Sequence, residues 1–220
     1  MKSGRFALLP LLWLTLTCAC LSGRPGDDGP TGDPRAFAPD PDELLDAEAL
    51  PGAFLWRQTV TASWGEGETR SFDAVVQRSG DALTVLGLSP TGSVGFSVVL
   101  RGGEVELTNR MPDSFPIDPR FILLDVQRAF YPWLAGSTPR ADGTHEGTVR
   151  AEQVRERWSD GALEERVFER PADDGRPGGT VSIRYEWADG ARAPVQTELV
   201  NDRFGYRLSI ETYDERELAE

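Results

Sequence analysis

Residues 54–64, FLWRQTVTASW, decide the architecture of this chain. Phe54, Trp56, Val60, Ala62 and Trp64 fall on one face, with Gln58 as the exception, while Arg57, Thr59, Thr61 and Ser63 fall on the other. A period of two is the repeat of a strand with one dry and one wet face; a helix would need apolar residues every third or fourth position. Working outward, Gly65-Glu66-Gly67-Glu68 reads as a turn. Behind it Phe72, Ala74 and Val76 alternate with Asp73, Val75 and Gln77. Ser79-Gly80-Asp81 turns into a run over 82–88, Val94, Phe96, Val98 and Leu100 share the next face, and Gly102-Gly103 turns into 105–109. Short glycine turns between alternating runs specify an antiparallel meander.

One segment breaks the rhythm. Asp118-Pro119 reads as a cap followed by a first-turn proline, and Ile122, Val126, Ala129, Phe130 and Trp133 recur at helical spacing with Asp125 and Arg128 between them, until Pro132 ends the pattern. Strands resume over 148–158, 163–169, 180–187, 194–202 and 204–213, with turn signals at Asp160-Gly161 and Asp189-Gly190. Val181, Ile183, Tyr185 and Trp187 share one face; Tyr206, Leu208, Ile210 and Thr212 share another.

The chain is therefore mainly β, with about ten antiparallel strands and one central helix. A sheet that wide must curl or split, and curling gives a half-barrel that the helix covers. The concave face offers Phe54, Trp56, Phe72, Phe96, Val98, Ile183, Tyr185, Leu208 and Ile210 as candidate cavity lining, with Ile122, Val126 and Phe130 as a lid. A cavity for an acyl chain and a filled core satisfy the same alternation.

Upstream, Lys2 and Arg5 precede an apolar run over 6–16, FALLPLLWLTL, interrupted by Pro10 and shorter than the ~20 residues of a membrane-spanning helix. Thr17-Cys18-Ala19-Cys20 follows and resembles a bacterial lipobox. It implies a signal peptide over 1–19 and lipidation of Cys20 as the new N-terminus. Leu21, rather than Asp, follows that cysteine; by resemblance to enterobacterial sorting this implies an outer-membrane anchor with the domain facing the periplasm. Residues 20–51 are rich in Gly, Pro and Asp and read as a tether, ending in DELLDAEAL (42–50), which has the pattern of one short helix; residues 52–220 form a single β-rich domain.

A net charge of −13 disfavours nucleic acid as a partner. Both cysteines, Cys18 and Cys20, lie in the leader, so the domain has no disulfide, thiolate nucleophile or cysteine-bound metal. His145, in a Gly/Asp-rich stretch, is the one histidine and reads as a solvated loop residue; a second histidine for a zinc site does not exist. Neither a Gly-x-Ser-x-Gly nor a glycine-rich phosphate cradle is present, and Asp173-Asp174 and Glu164-Glu165 read as solvated pairs. The expectation is a protein without catalytic residues, metal or cofactor, and not an enzyme. Arg120, Arg128, Arg155, Arg157 and Arg184 either line a cavity mouth or pair with acids on the outer face; the excess of Asp and Glu favours the second.

The leader, the meander, the mid-chain helix FILLDVQRAFYPWLAG (121–136) and the closing LVNDRFGYRLSIETYD (199–214) together resemble a bacterial lipoprotein family known as a domain of unknown function. Its members often lie beside genes for aryl-polyene or fatty-acid-type biosynthesis. More distantly, the plan is similar to the LolA/LolB lipoprotein carriers, whose incomplete β-barrel is lidded by helices and holds acyl chains. The resemblance implies lipid or acyl-chain handling, and no functional residue is carried over from it. The function expected is an envelope lipoprotein that binds an acyl or polyene-like chain in its concave face; the alternative is an interaction module that docks another envelope protein.

Overall fold

A computed structural model describes residues 44–65, 67–89, 91–110, 119–136, 139–172 and 177–219. The signal peptide, Cys20 and most of the tether read from the sequence lie outside the described residues. Eleven strands form one sheet: β1 (Phe54–Trp64), β2 (Glu68–Ser79), β3 (Ala82–Leu88), β4 (Val94–Arg101), β5 (Glu104–Asn109), β6 (Gly143–Val149), β7 (Glu152–Ser159), β8 (Ala162–Arg170), β9 (Gly179–Glu186), β10 (Gln196–Asn201) and β11 (Tyr206–Glu217). The spatial order is β5-β4-β3-β2-β1-β11-β10-β9-β8-β7-β6, and every pairing is antiparallel. The first and last strands thus meet at the centre, and two meanders run outward to the free edges β5 and β6. The helix α1 (Pro119–Phe130) lies between these two edge strands in sequence and packs on the inner face of the sheet.

This is the mainly β, open half-barrel with one covering helix that the alternation implies. Inward positions of β1 are buried from Phe54 to Ala62, Gln58 included, where β1 bulges against β11. Gln58 Nε2 donates to Thr212 Oγ1 at 3.2 Å, which satisfies a polar group on the dry face. Gly87 of β3 sits under the Phe96 ring of β4; a Cβ built there would lie 2.0 Å from Phe96 Cε1. The glycine therefore makes room for a fully buried aromatic ring.

Three elements differ from the sequence reading. The run over 148–158 is two strands, because Arg150 and Ala151 turn with φ of 50° and 65°. Positive φ at both central residues suits the twist of a two-residue hairpin, and residues without the usual Asn or Gly signal adopt it here. His145 consequently lies on edge strand β6 rather than in a loop, half-buried, with Nε2 2.7 Å from the Ala141 carbonyl oxygen. Over 42–50 the described residues hold a short 3-10 turn, Ala47–Ala49, and not a full helix.

Those residues also extend the domain beyond its expected start at 52. Leu44, Ala47 and Leu50 are buried and join a cluster with Leu123, Leu124 and Tyr131 of the helix segment. Gln127 clamps this strap in both directions: Leu45 N donates to Gln127 Oε1 at 2.9 Å, and Gln127 Nε2 donates to Leu45 O at 2.7 Å. The helix is thus covered on two sides, by the sheet and by the strap. That explains why Phe121, Leu123 and Leu124, off the expected stripe, are buried as deeply as Val126.

Candidate ligand cavity

The concave face is filled in its middle and hollow at one end. The filled part holds a void of about 30 Å³, bordered by Phe72, Phe96, Ile122, Val126, Leu208 and Ile210 among others. That is about a tenth of the smallest usual ligand site, roughly 300 Å³. Val98 and Ile183 are fully buried and border neither space. The hollow end is a cavity of about 1060 Å³ between the end of α1, the strap and the β7–β9 side of the sheet. Of the lining and lid residues expected from the sequence, Phe54, Trp56, Tyr185 and Phe130 border it.

Aromatic rings dominate the dry side of this cavity. Phe54 and Trp56 stack at 3.9 Å between centroids, and Phe130 meets Trp56 edge-on at 5.1 Å. Trp158 and Trp187 add two more indoles. Their N–H groups are satisfied, Trp158 Nε1 by Glu156 Oε2 at 3.1 Å and Trp187 Nε1 by Leu163 O at 2.8 Å, which leaves the ring faces as apolar wall. Exposed Asp189, Arg192 and Arg216 stand at the rim.

The floor is ionic. Arg166 sends Nε and Nη2 to Glu156 Oε1 at 2.9 and 2.8 Å, and its Nη1 donates to the Arg128 and Ala129 carbonyls at 2.7 and 3.2 Å. Tyr185 OH donates to the same Ala129 oxygen at 2.8 Å. A cation and a hydroxyl thus cap the C-terminal end of α1, where carbonyls are left without helical partners. Arg140 Nε lies 3.2 Å from Glu156 Oε2, and Arg140 Nη2 donates to the Leu134 and Ala135 carbonyls. Burial pushes the Tyr185 hydroxyl up to about 12, so it stays a donor at any physiological pH.

Behind the floor a second ionic group ties α1 to the C-terminal strands. Glu152 Oε1 receives Arg203 Nη1 at 2.6 Å and Arg128 Nη2 at 3.1 Å, with Arg170 Nη1 at 3.5 Å. Although burial opposes ionisation, these cations hold Glu152 below the usual carboxylate range. Asp125 accepts a hydrogen bond from Tyr206 OH, which accepts one from Asn201 Nδ2 at 2.8 Å. For Asp125 burial outweighs Arg128 and Tyr206 and raises its pKa to about 6.

The arginines sort accordingly. Arg157 and Arg184 are outer-face residues paired with Glu164 and Glu165, as their acidic neighbours suggest, and Arg155 is exposed on the same face. Arg128 is interior, and the side chain of Arg120 lies outside the described set. The arginines of the cavity floor carry no such signal: Arg166 points inward by a strand direction that charged sequence does not reveal, and Arg140 lies in the loop before β6. Among the described residues no group of three or more potential metal ligands occurs, and no helix is long and apolar enough to cross a membrane.

A family model described as "Protein of unknown function (DUF3261)" matches residues 55–214. The chain belongs to the DUF3261 family. This match meets the resemblance drawn from the leader, meander and helix. Among solved structures, the DUF3261 chain is similar to a LolA superfamily protein from Nitrosomonas europaea, with a TM-score of 0.45 and 12% identity over 80% of this chain and 96% of that one. It is also similar to a DUF1329 family protein from Desulfovibrio piger, with a TM-score of 0.32 and 13% identity over 80% and 88% of the two chains. Among curated proteins none matches.

Proposed function

We propose that this DUF3261 protein is an outer-membrane-anchored lipoprotein, lipidated at Cys20, that binds a lipid or acyl chain, polyene-like chains included, in the hollow end of its half-barrel. It acts as a binder or carrier and not as an enzyme. The observation that carries the reading is the cavity of about 1060 Å³ walled by Phe54, Trp56, Phe130, Trp158, Tyr185 and Trp187. Its size lies at the top of the usual range for ligand sites, roughly 300–1,000 Å³, and such sites combine apolar walls with a few placed polar groups.

Three indoles on the wall make the protein its own reporter. Titration of the mature chain with dodecanoate is expected to give a saturable shift in tryptophan emission, and solvent extraction of protein purified from its own membranes to release a bound chain in mass spectrometry. Repeatedly empty preparations together with no saturable response would remove the ligand reading and leave the interaction module. Anchoring is tested separately: Cys20→Ser should move the protein from the membrane fraction to the soluble periplasm.

A further inference from the structure

We infer that the cavity selects amphiphiles with one anionic head group, a carboxylate or a phosphate, seated against Arg140; this rests on the chain-binding reading above. The floor places two guanidinium groups, Arg140 and Arg166, on the one carboxylate of Glu156. All three residues border the cavity, and their side chains are 12%, 4% and 2% exposed. The trio carries one positive charge in excess, inside a chain whose net charge is −13. A shielded charge in excess is unfavourable until an opposite charge reaches it.

Donor bookkeeping locates where that charge would sit. Glu156 is used on both oxygens, by Arg166 on one and by Arg140 and Trp158 on the other. Every nitrogen of Arg166 has an acceptor. Arg140 differs: Nε and Nη2 are engaged, while Nη1 has no partner among the described residues. Gly136, also at the cavity wall, keeps that nitrogen uncovered; its φ is +118°, and a Cβ there would lie 3.3 Å from Arg140 Nη1. Of the other acids that border the cavity, Glu215 takes the Arg192 and Ala193 N–H groups, Glu217 pairs with Arg192, and Asp160 and Asp189 are exposed; among the described residues Arg140 has its ion pair with Glu156. An open guanidinium edge beside aromatic walls suits a head group with two or three acceptor oxygens, which arginine can bind in a fork.

The test compares dodecanoate, dodecyl phosphate, dodecanol and dodecyltrimethylammonium on the mature chain, read by tryptophan emission. The expected result is that at least one of the two anions binds about tenfold or more tightly than dodecanol, and the cation weakest. The ranking of the two anions separates a free acid from a phosphate-headed lipid. Arg140→Met should erase the preference, so that the anions and dodecanol bind alike; Arg140→Gln, which keeps an amide donor for Glu156, is the second variant if the first does not fold. Equal binding of anions and dodecanol by the unaltered protein overturns the head-group assignment and leaves chain binding standing. A preference that survives in a folded Arg140 variant overturns the assignment to Arg140. If none of the probes binds, the cavity reading falls and this inference with it.

Discussion

The two arms of the sheet enclose different interiors. On the β2–β5 arm Leu83, Val85, Phe96, Val98 and Leu100 are buried to 1% exposure or less against Leu123 and Leu124 of the helix. On the β6–β11 arm the interior also holds Glu152, Glu156, Arg166 and Arg203, and every buried charged residue of the described set lies on this arm or on α1. An apolar interior closes when volumes match. A polar interior closes only when charges and hydrogen bonds match, and the large cavity lies beside the place where they stop matching, at Arg140.

The largest expected effect tests whether the ionic groups are a core in their own right. Glu152→Ala removes the common partner of Arg128, Arg170 and Arg203, whose side chains are 4%, 9% and 0% exposed. Breaking a buried pair from one side costs about 3–5 kcal/mol. Denaturant unfolding should show that loss, comparable to the ~3–5 kcal/mol of Phe96→Ala on the apolar arm. A loss under ~1 kcal/mol, the size for an exposed pair such as Arg157 with Glu164, would dissolve the comparison, because the polar arm would then have no structural dependence on its charges.

A second effect belongs to the helix where it meets the polar arm. Asp125 has its pKa raised to about 6 in the folded protein from 3.8, with burial the leading cause. Between those values the folded chain keeps a proton that the unfolded chain has released, so stability falls as pH rises through the window and levels off above about 6. A shift of that size corresponds to roughly 3 kcal/mol at most. Glu152 is shifted the other way from 4.5, so its contribution is lost only as pH falls below that value. Asp125→Asn should therefore flatten the stability profile between pH 4.5 and 6. An unchanged slope would mean that other carboxylates set it.

The same contrast governs what the sequence discloses. On β1 and β4 apolar and polar residues alternate, and the dry face reads directly from residues such as Phe96, Val98 and Leu100. On β7 the inward positions are Glu152, Val154, Glu156 and Trp158 and the outward ones include Gln153, Arg155 and Arg157. Charge stands on both faces, so hydropathy cannot say which way the strand points, and the cavity floor stays hidden. Asp125, Gln127 and Arg128 mislead for a related reason. Polar side chains on a helix ordinarily face water, yet partners distant in sequence, at 152, 206 and 45, bury these. Arg150-Ala151 escapes because its turn geometry is imposed by strand pairing and not by residues that favour it.

On the apolar arm the sharpest probe adds atoms. A Cβ on Gly87 would meet three atoms of the Phe96 ring at 2.0–2.6 Å, and the ring is fully buried. Gly87→Ala should cost about 1–3 kcal/mol by overpacking. A double variant with Phe96→Leu should recover part of it, since the clash is with the ring and not with backbone. No recovery would place the strain in the β3–β4 pairing.

The smallest effect concerns the strap, which belongs to neither arm. Gln127 is fully buried, and its amide makes two hydrogen bonds to the Leu45 backbone. Leu45 is half-buried, so water can replace part of what Gln127→Ala removes; a net loss of about 1–2 kcal/mol is expected. The informative readout is local. Arg150 Nη1 still donates to Leu44 O at 2.7 Å and Tyr131 OH to Ala47 O at 3.3 Å, so the strap should loosen without leaving. Amide exchange over 44–50 should then speed up far more than in β1, since local opening draws on local contacts. The strap residues Ala49 and Leu50 also wall the cavity, so the same variant should bind dodecanoate faster with little change in affinity. Uniform acceleration of exchange in the strap and β1 together would instead make residues 44–50 part of the cooperative core, and access to the cavity would then need another route.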